Sequence, residues 1–206
     1  MRKLIQEHPL IAILRNVPPE QAVDYAGAAL RGGIGAVEVA LNSPGALRQI
    51  EQIKAAYGGR MAVGAGTAIT EKRAREALAA GADFLLSPSA DREVLAFCAE
   101  RQVRLLPGVM TPSDVSLCLS YGFGLLKLFP AGDLPPNYIK SLKGPFDGTD
   151  YVAVGGVTRE NLRAFLDAGY LGAGIGSNLI PRGCLETGDW GRAAQAVRAF
   201  SEQLEG

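Results

Sequence analysis

Lys127 lies inside an apolar run, Leu125–Leu128, that has the composition of a buried strand. An ammonium group loses its hydration in an apolar medium, so burial is expected to lower the pKa of this lysine and favour its neutral amine. A neutral amine can attack a carbonyl carbon and form a Schiff base. The alternative is a lysine whose aliphatic stem packs in the interior while its charged head reaches solvent. The run by itself is compatible with both roles.

Glu38 is a second ionisable residue within an apolar run, Ala36–Leu41. By strand alternation Glu38 shares a face with Ala40 and Asn42, as Lys127 does with Leu125 and Phe129. If both faces point into one interior, a carboxylate and an amine meet where the dielectric constant is low. Glu38 could then transfer protons during Schiff-base chemistry, with its pKa raised by burial. The alternative is a buried ion pair that serves packing alone.

Two glycine-rich turns are candidates for binding a phosphate. Gly155 and Gly156 precede a predicted helix, and Gly176 and Ser177 end a second turn, Gly174–Ser177. Glycine lets the backbone approach an anion, and the N–H groups at the start of a helix attract one. The alternative is a pair of tight turns that require glycine for their backbone conformation.

Two further residues follow predicted strands and could contact a ligand. Arg15 comes directly after the apolar run Ile11–Leu14, and its planar guanidinium could hold a carboxylate or a phosphate. Its alternative role is that of a surface arginine. Thr67 follows a run with two glycines, Gly64–Gly66, which leaves room for a ligand beside a hydroxyl donor.

Eight short apolar runs alternate with longer helical patterns, which predicts parallel pairing of the strands. The predicted strands are Ile11–Leu14, Ala36–Leu41, Met61–Ala65, Phe84–Ser87, Val103–Leu106, Leu125–Leu128, Tyr151–Val154 and Gly172–Ile175. The predicted helices are Pro19–Arg31, Pro44–Tyr57, Glu71–Ala80, Asp91–Arg101, Pro112–Ser120, Pro136–Leu142, Arg159–Ala168 and Asp189–Leu204, with Thr70 and Thr158 as N-caps. Segments 144–150 and 181–188 are predicted to be mobile loops.

Eight strand–helix units favour a closed (β/α)8 TIM barrel over an open doubly wound sheet. We expect residues 1–206 to form a single barrel domain with a short N-terminal extension and a C-terminal helix. In such a barrel the active site is built at the carboxyl ends of the strands. The candidate residues all lie near these ends or follow them, so the fold predicts that they meet.

Composition excludes several classes of function. Lysine plus arginine and aspartate plus glutamate both number 21, so the zero net charge does not support a nucleic-acid or membrane-surface partner. Cys98, Cys118 and Cys184 are widely spaced in apolar helical patterns, which predicts buried thiols rather than disulfides or a zinc site. His8, the one histidine, cannot form a histidine-rich metal centre or triad. The chain lacks a signal-peptide pattern, which predicts a cytoplasmic protein.

This ordered set of motifs resembles the pyruvate-dependent class I aldolases of 2-keto-3-deoxy-6-phosphosugar acids, over essentially the whole chain. The segments that carry the resemblance are Ile11–Arg15, Val37–Val39, Gly64–Thr67, Leu126–Pro130, Val154–Val157 and Gly174–Ser177. The resemblance implies a homotrimeric barrel enzyme that cleaves a phosphorylated keto acid reversibly to pyruvate and D-glyceraldehyde 3-phosphate, with no metal or organic cofactor.

The resemblance also implies roles for individual residues. Lys127 matches the Schiff-base lysine and Glu38 the acid/base of the family. The implied substrate contacts are Arg15, Thr67, Phe129 as a wall of the site, Val154, and the phosphate-site residues Gly155, Gly156, Gly176 and Ser177.

Asn42 and Val154 stand where members acting on the 6-phosphogluconate-derived substrate carry arginine and threonine. Both differences resemble the 6-phosphogalactonate branch, which acts on the C4 epimer. The alternatives are the gluconate epimer, with or without 4-hydroxy-2-oxoglutarate, and a phosphosugar isomerase or epimerase barrel in which Lys127 makes no covalent bond. A catalytically silent phosphate-binding barrel is a further alternative.

Overall fold

Nine parallel strands form a nearly closed barrel in residues 1–204, the part of the chain that the computed structural model describes. The strands are β1 Leu10–Leu14, β2 Ala36–Ala40, β3 Ala62–Gly66, β4 Phe84–Leu86, β5 Leu105–Leu106, β6 Gly108–Val109, β7 Leu125–Leu128, β8 Asp150–Val154 and β9 Gly172–Ile175. The predicted domain extends to residue 206, so its last two residues lie outside the described range.

Helices connect successive strands around the barrel. They are α1 Arg2–Glu7, α2 Ala22–Arg31, α3 Ala46–Tyr57, α4 Glu71–Ala79, α5 Arg92–Glu100, α6 Pro112–Ser120, α7 Tyr138–Lys143, α8 Leu162–Asp167, α9 Arg182–Thr187 and α10 Trp190–Ser201. Short 3-10 turns cover Pro19–Gln21, Ala131–Asp133 and Glu202–Leu204.

The barrel closes through one interrupted strand position. Strand order runs β5-β4-β3-β2-β1-β9-β8-β7-β6, so the two edges of the sheet are β5 and β6, which are separated only by Pro107. The carbonyl of Pro107 accepts the backbone N–H of Lys127 at 2.8 Å, which joins this segment to β7. The predicted (β/α)8 TIM barrel is confirmed, with its fifth strand continuing past Pro107 to Val109.

Strand alternation divides the core into two layers. The inner layer fills the barrel and includes Ile11, Phe84 and Val152, whereas the outer layer lies between strands and helices. Helix α1 lies across the amino-terminal end of the barrel, where its Leu4 and Ile5 are buried within the inner layer. The predicted N-terminal extension is therefore a plug for one end of the barrel.

Glycine on the inner face of β3 makes room for larger side chains of neighbouring strands. A methyl group at Gly64 would overlap the ring of Phe84, and one at Gly66 would overlap the carboxyl group of Glu38. These two glycines therefore shape the interior of the barrel rather than a turn.

Local sequence signals placed most, but not all, of the helix boundaries. Thr70 caps α4 by accepting the N–H of Arg73 at 3.2 Å, as predicted. The prediction that Thr158 caps a helix from Arg159 is wrong, because the side-chain oxygen of Asn161 accepts the N–H of Thr158 and α8 begins only at Leu162. The loop predicted over 181–188 is also wrong, since α9 occupies most of it.

The composition also led to predictions about the cysteine thiols, metal binding and membrane association. Cys98, Cys118 and Cys184 are buried free thiols on α5, α6 and α9, as predicted. Within residues 1–204, no cluster of three or more potential ligand side chains could hold a metal ion. The same residues contain no helix with the length and apolarity needed to cross a bilayer.

Candidate active site

A cavity of about 300 Å³ lies at the carboxyl ends of the strands. It is lined by Ile13, Arg15, Asn16, Glu38, Lys127, Phe129, Val154, Gly155, Gly156, Val157, Gly174, Gly176, Ser177 and Asn178. Of the residues predicted to form the site, only Thr67 lies outside this lining. Asn16 and Asn178 were not predicted, although each directly follows a predicted site residue.

Lys127 projects into the cavity from β7 and is only 4% exposed. Desolvation by burial lowers its pKa, and the positive charge of Arg15 acts in the same direction against the opposing effect of Glu38. Its Nζ lies 4.8 Å from the ring centroid of Phe129, which walls this side of the cavity. The alternative in which the lysine head reaches solvent is therefore wrong.

Glu38 faces the same cavity from β2 and is 1% exposed. Burial raises the pKa of its carboxyl group, and the charges of Lys127 and Arg15 only partly oppose this effect. Its Oε2 has no hydrogen-bond partner within the described residues. Glu38 and Lys127 are thus brought together without the direct ion pair that a purely structural role would require, and an unpaired buried oxygen remains available to a ligand.

The position of Glu38 depends on Gly66, because a side chain there would occupy the space of the carboxyl group. We expect Gly66→Ala to displace Glu38 and to lower kcat for the reaction proposed below by about 100-fold or more. Steady-state kinetics would measure this loss. Gly59→Ala is the matched control, since its added methyl group meets no atom within 4 Å. An active Gly66→Ala enzyme would show that Glu38 is not needed where it lies.

The two glycine-rich turns meet at the rim of the cavity. Gly155 and Gly156 both have positive φ, 87° and 72°. The backbone N–H groups of Gly156, Ser177 and Asn178 have no acceptor in the part of the chain that is described. These donors can bind an anion. Because α8 begins six residues after Gly156, the predicted contribution of a helix N-terminus is replaced by loop N–H groups.

Neighbouring groups hold these turns in place. The N–H of Gly132 donates to the carbonyl of Gly155 at 2.8 Å, and a methyl group on Gly132 would approach the backbone of Gly156 to 2.8 Å. The side-chain amide of Asn178 donates to the carbonyl of Val157 at 3.0 Å, which links the two turns. The anion-binding backbone is therefore positioned from both sides.

Arg15 reaches the cavity from the end of β1 and is exposed. In residues 1–204 its guanidinium makes no ion pair or hydrogen bond, which leaves it available for a carboxylate or phosphate. Thr67 lies beyond the cavity lining with φ of 59°, and its hydroxyl donates to the side-chain oxygen of Asn42 at 3.3 Å. Val154 lines the cavity, whereas Asn42 does not.

A larger cleft, of about 380 Å³, opens at the opposite end of the barrel. It lies between Met1, Arg104 and Phe123 and contains neither Lys127 nor Glu38. The smaller cavity is the candidate active site because it alone, within the described residues, combines these two buried ionisable groups with free N–H donors.

Comparison with known proteins finds relatives over nearly the whole chain. A model of the KDPG and KHG aldolase family matches residues 1–196. The 2-dehydro-3-deoxy-6-phosphogalactonate aldolase of Escherichia coli (strain K12) is 36% identical over 198 residues, which are 96% of this chain and 97% of that protein. The 2-dehydro-3-deoxy-phosphogluconate aldolase of Pseudomonas aeruginosa is 31% identical over 198 residues, 96% of this chain and 87% of that protein.

Solved structures agree with this assignment. A native KDPGal structure, 36% identical, superposes with a TM-score of 0.86 and is matched over 96% of this chain and 94% of that one. KDPG aldolase from Legionella pneumophila, with pyruvate captured as a covalent carbinolamine intermediate, is 28% identical and superposes with a TM-score of 0.88 over 96% of both chains.

Proposed function

The chain belongs to the KDPG and KHG aldolase family and is a class I carbon–carbon lyase, and we propose that it cleaves 2-dehydro-3-deoxy-6-phosphogalactonate reversibly to pyruvate and D-glyceraldehyde 3-phosphate. The observation that carries this proposal is the buried pair of Lys127 and Glu38 in one cavity with free loop N–H groups. An amine with a lowered pKa is suited to attack a ketone, and a carboxyl group with a raised pKa is suited to exchange protons beside it.

The reaction begins with a Schiff base. The neutral Nζ of Lys127 adds to the C2 ketone of the substrate and gives a carbinolamine. Glu38 donates a proton to the carbinolamine hydroxyl, which leaves as water, and the lone pair of Nζ forms the iminium. Burial of both groups supports this step, because it lowers the pKa of the amine and so favours its neutral form, and it raises the pKa of the carboxyl group and so favours its protonated form.

Cleavage follows from the iminium. Glu38, now ionised, takes the proton of the C4 hydroxyl directly or through a water molecule while the C3–C4 bond breaks. The electron pair of that bond moves into the iminium and produces an enamine, and D-glyceraldehyde 3-phosphate departs. Protonation of the enamine at C3 and hydrolysis by water then release pyruvate and restore Lys127. The iminium formed on Lys127 accepts the electron pair of the broken C3–C4 bond, so Lys127 and Glu38 suffice for the proposed cleavage.

The remaining residues bind and enclose the substrate. The free N–H groups of Gly156 and Ser177 are donors for its phosphate, and Gly155 and Gly176 let that group approach the backbone. Arg15 attracts an anionic group at the mouth of the cavity, and Phe129 excludes water from Lys127. Thr67 is proposed as a substrate contact from the rim, beside its partner Asn42.

Trapping with borohydride tests the aldolase mechanism. Reduction in the presence of pyruvate, followed by intact and peptide mass analysis, is expected to give a stable adduct on Lys127. A folded protein that gives no adduct with excess pyruvate would overturn the proposal and favour an isomerase or a silent phosphate-binding barrel.

The preference for the galactonate epimer rests on Val154 and Asn42, and on the 36% identity to the E. coli phosphogalactonate enzyme. Val154 is 3% exposed and lines the cavity, so it presents an apolar surface where threonine would present a hydroxyl group. Cleavage rates on the two pure C4 epimers test this directly. A strong preference for the gluconate epimer would contradict our interpretation of both residues.

Replacing Val154 with threonine is expected to narrow the discrimination between the epimers by about tenfold, because a pocket hydroxyl can bond a substrate hydroxyl. The measurement is the ratio of kcat/KM for the two epimers. Val152→Thr, one interior position deeper on β8, controls for a new hydroxyl in the barrel that does not line the cavity. An unchanged ratio in Val154→Thr would remove Val154 from the basis of specificity.

A homotrimer is the assembly we propose, as the family resemblance implies. Three large apolar side chains are exposed in loops or first helical turns after the strands: Leu47, Ile69 and Met110. Their exposed fractions, 36%, 39% and 41%, are surface that a partner copy could cover. Light scattering coupled to size exclusion tests this proposal, and a monomer at micromolar concentration would contradict it.

A further inference from the structure

Three side chains from separate elements hold the backbone around Arg15. Tyr25 on α2 donates its hydroxyl to the carbonyl of Ile13 at 3.4 Å. Ser43, after β2, accepts the N–H of Asn16 at 3.0 Å, and Gln49 on α3 donates to the carbonyl of Val17 at 2.8 Å. The segment that presents Arg15 to the cavity is therefore held on both sides of that residue by a brace of three side chains, Tyr25, Ser43 and Gln49.

Gln49 is an unusual member of this brace because its exposure is 0% and its Oε1 has no hydrogen-bond partner in residues 1–204. A buried unsatisfied polar atom is costly, and an apolar side chain of the same size would avoid the cost. If the side-chain amide of Gln49 were flipped, its oxygen would face the carbonyl oxygen of Val17 at 2.8 Å. The hydrogen bond to Val17 therefore fixes the orientation of the amide. Neither the predicted site nor the cavity lining includes Gln49.

The guanidinium of Arg15 has no protein partner of its own among the described residues. Its position relative to the cavity is therefore set by its backbone. Asn16, the next residue, also lines the cavity and has φ of 55°, a left-handed conformation that side chains rarely adopt. Surrounding contacts hold such a conformation: Ser43 accepts the N–H of Asn16 itself, and Gln49 donates to the carbonyl of the next residue, Val17.

We propose that Gln49 is a positioning residue that sets the affinity for the anionic substrate by fixing the backbone that presents Arg15 to the cavity. Ser43 acts on the same segment through Asn16. The proposal rests on the proposed function, because it requires that Arg15 binds the substrate.

The test is a double-mutant cycle with Gln49→Met and Arg15→Gln. Methionine keeps the volume of Gln49 and removes the donor. We expect Gln49→Met to raise KM for the phosphorylated substrate by about fivefold, which corresponds to the loss of one hydrogen bond, and to leave kcat within about twofold. In the Arg15→Gln background the same substitution should change KM by less than about twofold.

Gln52→Met is the matched control, since Gln52 lies one turn further along α3 and its side chain makes no hydrogen bond within the described residues. It should leave KM unchanged. Ser43→Ala is a second variant of the brace, with the same expected dependence on Arg15, and it decides the matter if Gln49→Met does not fold. Thermal unfolding of every variant establishes that the folded proteins are compared.

Equal rises in KM in both backgrounds would show a general structural role and overturn the proposal. The proposal would also be overturned if Gln49→Met and Ser43→Ala fold but leave KM unchanged. An unchanged KM in the single variant Arg15→Gln would overturn it too. Pyruvate trapping of the unaltered enzyme separates these outcomes from failure of the proposed function. If Lys127 is trapped and the cycle shows no coupling, only the role of Gln49 is wrong.

Discussion

Lys127→Arg is expected to abolish the borohydride-stable adduct with pyruvate and to lower kcat for cleavage by a factor on the order of 10⁴ or more. Arginine also has a long side chain, but its guanidinium stays protonated and cannot serve as a nucleophile. Lys127 is 4% exposed, and its burial lowers its pKa, so the chemistry depends on the neutral amine at this one position.

Mass analysis of the trapped protein and single-turnover kinetics measure the effect. Lys140→Arg, at an exposed position on α7, is the matched control and should retain full trapping and activity. A Lys127→Arg protein that keeps more than about 1% of kcat would show that no covalent bond to Lys127 is needed and would favour the isomerase alternative.

Glu38→Gln is expected to lower kcat by about 10³-fold, within the range that general acid–base catalysis supplies. The amide has the shape of the carboxyl group but cannot exchange a proton at neutral pH. Both carbinolamine collapse and C3–C4 cleavage should slow, while pyruvate still binds. Glu51→Gln, at an exposed position on α3, is the control. Undiminished cleavage by Glu38→Gln would assign proton transfer to another group.

The same substitution should alter how stability depends on pH. Burial raises the pKa of folded Glu38 above 4.5, so between 4.5 and the raised value the folded state binds more protons than the unfolded state. The contribution of Glu38 to stability is fully present below pH 4.5 and is lost as pH rises through the folded pKa. We therefore expect Glu38→Gln to gain stability relative to the unaltered protein as pH increases from about 4 to 8, in urea unfolding. A constant difference across that range would contradict the raised pKa.

Much of the fold was predictable because its signals are local. The strands are continuous apolar runs, and β1 and β2 are buried at every position. Lys127 and Glu38 stood out because each interrupts such a run, and both line one cavity, which alternation had given only as a condition. The interruption of the fifth strand at Pro107 was missed, since its two pieces are only two residues long.

The residues beyond the strand ends were harder to place. Alternation assigned Asn42 to the face of Glu38, but β2 ends at Ala40 and the chain then turns, so Asn42 lies outside the cavity lining. Asn16 enters that lining through a left-handed conformation held by distant Ser43. Such placements depend on contacts between elements far apart in sequence, which no local pattern records.

The single open end of the barrel bears on the order in which the products of the proposed reaction leave. Side chains fill the barrel interior and α1 covers its amino-terminal end, so substrate and products share the mouth at the carboxyl ends of the strands. Lys127 is paired with Val152, so Gly155 and its turn lie three residues closer to that mouth, about 10 Å along the strand. In the proposed reaction the aldehyde fragment then lies at the mouth of the cavity, while pyruvate is still covalently bound to Lys127 deeper inside. In the proposed reaction we therefore expect glyceraldehyde 3-phosphate to leave before pyruvate, and in the synthetic direction we expect pyruvate to bind before the aldehyde.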